Sequence, residues 1–188
     1  MDPLSQAAVG AVAPQSIAGK TTRDSLGLLR IGIIGALAGM APDLDVLIQS
    51  STDPLLQLEY HRQFTHSLFF IPFGAAICAL VFWPFVRHHM SYLKVWLVAL
   101  LGYGTHGLLD ACTTYGTMLL WPFSDARIAW NNVAVIDPLF TLPLLACVVT
   151  AGFRQSSLAA RLGLTWSILY LSLGLLQEDR AASVGEAL

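Results

Sequence analysis

Histidine and aspartate residues lie within and beside the apolar stretches of this 188-residue sequence. His106 and Asp110 are four residues apart, a spacing that places two side chains on one face of a helix. Asp43 and Asp45 follow Pro42, which lacks a backbone donor and disfavours helix at the residue before it, so we expect the helix to break there. Each pair alone also suits a structural role, as a buried hydrogen-bonded pair or as acids that end a helix. Together, imidazoles and carboxylates are typical ligands of zinc, manganese and iron.

A third pair, His61 and His66, is five residues apart, which corresponds to about 140° on an ideal helix. These rings converge only if a turn lies between them, and Thr65 is then a predicted N-cap of the following helix; otherwise they are two loop histidines. The candidate metal ligands are therefore Asp43, Asp45, His61, His66, His106 and Asp110. The set exceeds what one catalytic ion needs, so we expect a binuclear centre, with a single ion as the alternative; zinc is the expected metal, with manganese or iron as alternatives.

Such a centre would make hydroxide available and polarise an ester or phosphoester oxygen, which predicts a hydrolase, either a phosphoesterase or a lipase. Two further residues are candidates for catalysis. Arg62 is predicted to hold a phosphate or carboxylate of the substrate, the alternative being a solvated loop arginine. Asp137 is predicted to act as general base. The three cysteines form no C-x-x-C pair, which argues against a closed structural zinc site.

The composition predicts that these residues are carried by an integral membrane protein. Hydrophobic residues make up 55% of the chain and charged residues only 12%, whereas about 25% of a typical soluble domain is charged. We expect one all-α membrane domain over residues 1–188, with five spans of nearly 20 residues each. They run from about Ser25 to Ala41 (continuing, broken, to Ile48), His66 to Phe85, Tyr92 to Cys112, Ile136 to Phe153 and Ala159 to Leu176. Leu4 to Ala18 is predicted to be a partly inserted or a short packed helix.

Lysines and arginines predict the orientation, because they are enriched in cytoplasmic loops. Seven of them flank one set of span ends: Lys20, Arg23, Arg30, Arg87, Lys94, Arg154 and Arg161. Three flank the other: Arg62, Arg127 and Arg180. The first side is predicted to be cytoplasmic, so the candidate ligands lie at the outer, periplasmic side of a bacterial inner membrane. Ionisable residues at membrane depth are functional candidates by default.

Several short motifs carry a family resemblance over about residues 1–145. They are MDPLSQ at residues 1–6, APDLD at 41–45, HRQFTHS at 61–67, THGLLD at 105–110, YGT at 115–117 and LWPFS at 120–124. In these motifs the chain resembles the YdjM-like family of inner-membrane proteins, which are described as metal-dependent hydrolases, some of them regulated by the LexA repressor. Many members have a histidine where this chain has Gln6, so the resemblance implies one weaker metal position here.

Two other functions fit the same ligand set. A divalent-metal transporter would place its polar residues near the midplane and would often show related halves, whereas these residues gather near one face. A structural or stress-response membrane protein would use the metal only for stability. The expected partners are the lipid bilayer and a lipid or amphiphilic substrate. The net charge of −2 predicts no nucleic-acid partner.

Overall fold

The computed structural model describes residues 1–18, 26–50, 52–53 and 60–186. Lys20, Arg23 and Ser25, used above for orientation and for the start of the first span, lie outside the described residues. Those described form six α-helices and no strand, which confirms the all-helical prediction. The helices are α1 (Pro3–Ile17), α2 (Gly27–Met40), α3 (Ile71–Val86), α4 (Tyr92–Ala111), α5 (Pro138–Arg154) and α6 (Ser157–Glu186).

Helix α1 lies in the middle of the bundle. The side chain of Asp2 caps it by accepting hydrogen bonds from the backbone N–H groups of Leu4 and Ser5, and Pro3 occupies its first turn, where a missing N–H costs nothing. Almost all residues from Ser5 to Ser16 are buried, and the helix packs against α2, α4, α5 and α6. Of the two predictions for this segment, the packed helix is therefore confirmed.

Helices α1, α2 and α4 approach one another through glycines. A Cβ atom on Gly10 would lie 2.7 Å from the carbonyl oxygen of Gly35 and 3.0 Å from Cα of Gly39, which is too close for any larger residue. A Cβ atom on Gly102 of α4 would collide with the same Gly35 carbonyl. The three backbones are thus in direct contact at one level of the bundle, close to the end that carries Asp43 and His106.

The predicted ligands Asp43 and His66 both lie in 3-10 segments beside the longer helices. Helix α2 ends at Met40 and continues as a 3-10 helix, Ala41–Leu47, which confirms the break at Pro42. The prediction that Thr65 caps the following helix was wrong. Thr65 lies in a short 3-10 turn, Phe64–His66, and α3 begins at Ile71, where Pro72 suits the first helical turn.

Among the residues that the structure describes, two helical segments are long and apolar enough to cross a membrane, Gly27–Leu47 and Ser157–Ala181. Helices α3 and α5 are apolar but have only 16 and 17 residues. Helix α4 has 20 residues and carries Lys94, His106 and Asp110. A helical protein with two candidate spans is therefore shown, and the count of five spans stays a prediction.

Candidate metal centre

Four of the six predicted ligands converge: Asp43, His66, His106 and Asp110. One donor atom from each lies within 4.8 Å of the others. They come from the 3-10 helix after α2, the turn before α3, and the last turns of α4. His106 and Asp110 share a buried face of α4, as their spacing predicted.

The distances between the donor atoms suit a single four-coordinate ion. The Nε2 atoms of His66 and His106 are 3.0 Å apart. Asp43 Oδ1 lies 3.5 and 3.3 Å from these nitrogens, and Asp110 Oδ2 lies 3.4 and 3.7 Å from them. Zinc binds nitrogen and carboxylate oxygen at about 2.0–2.2 Å, so tetrahedral ligands stand roughly 3.3–3.6 Å apart. The donor set therefore has the spacing that a divalent ion requires.

Hydrogen bonds on the far side of each ring set which nitrogen faces the centre. His106 Nδ1 lies 2.5 Å from the carbonyl oxygen of Gly39, which can only accept, so Nδ1 carries the proton. Thr65 Oγ1 donates its single proton to Asp45 Oδ2 at 2.9 Å and therefore accepts from His66 Nδ1, also at 2.9 Å. In the neutral form of each ring, Nε2 then presents a lone pair to the centre, as metal-binding histidines do.

Asp110 presents an oxygen that hydrogen bonding leaves unused. Its Oδ1 accepts from Gln6 Nε2 at 3.0 Å and pairs with the amino group of Met1. Its Oδ2 is buried and has no hydrogen-bond partner among the described residues, although Arg62 Nε lies 3.3 Å away. Buried polar atoms are nearly always satisfied. An ion among the four donors would satisfy this one.

The negative charge gathered here acts on His66, which lies in the turn before α3. Burial of the ring lowers its pKa, but the neighbouring carboxylates of Asp110, Asp43 and Asp45 raise it by more, so the pKa is raised to about 10. Opposite charges within hydrogen-bond reach favour the charged form of a group. The site therefore stabilises positive charge, which is what a bound divalent ion supplies.

Asp45 and His61 lie next to the four-donor cluster but outside it. Asp45 is buried, and its Oδ2 lies 3.3 Å from His66 Nδ1 while also accepting the backbone N–H of Arg62 at 3.1 Å. Its Oδ1 lies 2.8 Å from Nδ1 of His61, whose side chain is 32% exposed. A carboxylate behind a ligating histidine orients the ring and raises its basicity. The structure gives Asp45 that place.

Arg62 is buried, so the solvated-loop alternative is wrong. Its backbone has a φ of 63°, which turns its N–H toward Asp45 while its side chain reaches Asp110. The guanidinium also lies 3.4 Å from Thr113 Oγ1 and over the ring of Tyr115, 5.2 Å from its centroid. Arg62 thus connects both carboxylate-bearing segments.

Asp137 makes its described contacts in the α5–α6 hairpin and not at the four donors. Its side chain caps α5 by accepting from the backbone N–H groups of Leu139 and Phe140, and its Oδ2 accepts from Tyr170 at 2.8 Å. These contacts belong to the α5–α6 hairpin, and none of the described ones reaches the four donors. A catalytic role for Asp137 stays a prediction, whereas its capping role follows from an aspartate directly before a helix-starting proline.

Sequence reasoning from the residues alone missed three groups that position the ligands: the side chains of Gln6 and Thr65, and the carbonyl of Gly39. The family resemblance drew attention to Gln6. The role of Thr65 was mistaken for a helix cap. A backbone carbonyl carries no sequence signal, because every residue has one.

Two curated proteins are similar to part of the chain. The chain is 30% identical to the Bacillus subtilis (strain 168) protein YfhP over 117 residues, which are 62% of this chain and 35% of that protein. It is 32% identical to the inner membrane protein YbcI of Escherichia coli (strain K12) over 110 residues, which are 56% of this chain and 62% of that protein. The chain thus spans less than two thirds of either relative.

No solved structure matches the chain significantly. The family model of the YdjM inner membrane proteins matches residues 1–181, a range that includes all four donors and the residues that orient them. The chain therefore belongs to the YdjM inner membrane protein family.

Proposed function

We propose that this inner-membrane protein is a metal-dependent hydrolase of ester or phosphoester bonds. The observation that carries the proposal is the meeting of two oriented histidine nitrogens with a buried carboxylate oxygen that has no hydrogen-bond partner among the described residues, all at ligand spacing. A divalent ion, zinc in the first place and manganese or iron as alternatives, would polarise the scissile group and make water nucleophilic at neutral pH.

The residues around the cluster have distinct proposed roles. His66, His106 and Asp110 are buried and would hold the ion, while the Asp43 side chain is 32% exposed and marks the side from which a substrate reaches the centre. Arg62 would fix Asp110 through the ion pair, and its positive charge favours an anionic group such as a phosphoester. Asp45 and His61 are the donors that a second ion would use.

The proposed orientation places the centre at the periplasmic side. It follows from the distribution of lysine and arginine residues. Reporter fusions test it: alkaline phosphatase fused at residue 125 should be active, and the same fusion at residue 90 should be inactive. The reverse pattern would overturn the orientation without affecting the metal centre.

Elemental analysis of the purified protein tests metal binding. We expect at least one equivalent of zinc, manganese or iron in the wild type and its loss in the His106→Ala, Asp110→Ala double variant. The matched control is His88→Ala, His89→Ala, which removes two exposed histidines that follow α3. Metal retained in the first double variant would contradict the proposal. Two equivalents in the wild type would assign Asp45 and His61 to a second ion.

Vesicles of defined orientation test the activity. The protein should release product from phosphoester or acyl-ester lipids on the side that carries His61, lose this activity with chelator, and regain it with zinc or manganese. Metal accumulation inside the vesicles that depends on Asp43 and His106, without turnover of any ester, would instead identify a transporter.

A further inference from the structure

A cavity of about 590 Å³ opens between α2 with its 3-10 extension and α3. This volume lies within the range of about 300–1,000 Å³ that is usual for small-molecule sites. Its walls are apolar, with Leu37 and Leu44 on one side, Ile77 and Val81 on the other, and Tyr103 of α4 between them. None of the roles assigned above uses this cavity.

The two ends of the cavity differ in chemistry. The end away from the 3-10 helix is lined by Leu37, Val81 and Phe82, whereas Asp45 and Thr65 supply polar atoms at the other end. These two residues bond to the Nδ1 side of His66. The ring of His66 therefore separates the polar end of the cavity from the Nε2 atoms that face the metal centre.

The rim of the cavity faces outward with apolar residues. Leu44 is 62% exposed, and Ile77 and Val81 are each 56% exposed. Leu44 lies on the candidate membrane span Gly27–Leu47, so this rim would contact hydrocarbon. An occupant would thus enter from the bilayer, with its apolar part in the cavity and its polar part beside Asp45 and Thr65.

The cavity is elongated along α3. From Gly74 to Val81 it follows the helix for seven residues, which is about 10 Å at 1.5 Å per residue. An extended hydrocarbon chain that lies along α3 would contact Ile77, Val81 and Leu37. Because the rim faces hydrocarbon, an acyl chain of the surrounding bilayer is the occupant that reaches this cavity directly.

We infer that this cavity binds one acyl chain of a membrane lipid and holds the ester-bearing end of that lipid beside Asp45 and Thr65, next to His66 of the metal centre. The inference rests on the proposed function for the chemistry at the centre, and on the cavity alone for the acyl chain. It narrows the substrate class to acyl-chain lipids. Because the chain is already in hydrocarbon before it enters, van der Waals packing against the cavity walls and polar contacts at Asp45 and Thr65 would hold it.

Photo-crosslinking tests the binding step without relying on catalysis. Zinc-loaded protein is reconstituted in phosphatidylglycerol–phosphatidylethanolamine vesicles with a small fraction of phospholipid that carries a diazirine midway along one acyl chain. Labelling should concentrate on residues 37–48 and 74–82 and exceed several-fold that on residues 158–176 of α6, where the exposed leucines would contact bulk lipid. Equal labelling of the two regions would overturn the inference.

Two variants make the test specific. Val81→Trp and Ile77→Trp should each reduce cavity labelling several-fold, and the matched control Leu169→Trp on the exposed face of α6 should leave it unchanged. Unchanged thermal unfolding of the variants excludes misfolding as the cause. Cavity labelling that persists in both tryptophan variants would contradict the inference.

The failure of this inference and that of the proposed function are distinguishable. Cavity labelling without hydrolysis of any ester by the zinc-loaded wild type would defeat the hydrolase proposal and leave the acyl site standing. Hydrolysis together with uniform labelling would defeat the acyl site and leave the hydrolase proposal standing. If both hold, Val81→Trp should lower turnover of long-chain esters several-fold relative to short-chain esters.

Discussion

The contact between α2 and α4 differs in kind from that between α5 and α6. At the first, backbone lies against backbone, since Gly102 leaves no space for a Cβ atom beside Gly35. At the second, Gly163 lies against the side chain of Cys147, and large side chains make the remaining contacts: Trp166 Nε1 donates to the carbonyl of Phe140 at 3.1 Å, and Tyr170 donates to Asp137. Much of the apolar surface of α6 stays exposed.

The difference shows where the fold needs accuracy. Metal ligands from separate elements must meet within a few tenths of an ångström, and His106 is fixed by the carbonyl of Gly39, which lies in the glycine-lined contact. Backbones in direct contact have little freedom to shift, whereas interlocked side chains can adjust their rotamers. The α5–α6 hairpin supplies none of the four donors, so it can tolerate such adjustment.

The largest expected difference in metal content is between loss of the Asp110 charge at the metal centre and loss of the Asp137 charge in the α5–α6 hairpin. Asp110→Asn should abolish stoichiometric metal binding, because the buried oxygen anion among the donors is lost. Asp137→Asn should keep the metal, because asparagine still caps a helix. Elemental analysis of both purified variants measures the difference. Equal metal content in the two would remove the functional distinction between the regions.

A single methyl group at the helix contact should have the next largest effect. Gly102→Ala should destabilise the protein by about 1–3 kcal/mol, as overpacking does, and weaken metal binding because α2 and α4 must separate. Gly104→Ala is the matched control, since its Cβ would meet Ile71 at an ordinary 3.6 Å. Thermal unfolding in detergent measures the loss of stability, and the change in unfolding temperature on adding chelator measures the effect on metal binding. Indistinguishable variants would show that the backbone contact is not tight.

The carboxylate behind His66 should matter less than the ligands. Asp45→Asn removes the negative charge that orients and polarises the ring, and such changes cost roughly 10–100-fold in metal affinity or activity. Competition with a chelating dye measures the affinity. A loss as complete as that in Asp110→Asn would instead place Asp45 among the ligands.

The smallest effect is expected in the hairpin. Tyr170→Phe removes the hydroxyl that donates to Asp137, and a hydrogen bond of this kind contributes about 0.5–1.5 kcal/mol to stability. Metal content and affinity should not change. Thermal unfolding and metal titration of the same sample check both statements, and a fall in metal affinity would couple the hairpin to the centre.

Local rules were enough for the features that lie within one element. Helix geometry alone places His106 and Asp110 on one face, and the chemistry of proline alone predicts that α2 breaks near Asp43. Low charge and high apolar content by themselves indicate a membrane protein. Each of these depends on composition or on neighbours a few residues away, which a sequence displays directly.

Tertiary structure decided everything that depends on distant residues. It brought four of the six candidates together as donors and placed Asp45 behind His66, with His61 beside Asp45. The contacts that do this join residues 16 to 67 positions apart in the chain. It also placed α1 at the centre, although small residues all round that helix give no periodic face to read. The physical reason is that spacing along a chain fixes directions only within a rigid element, and packing between elements fixes the rest.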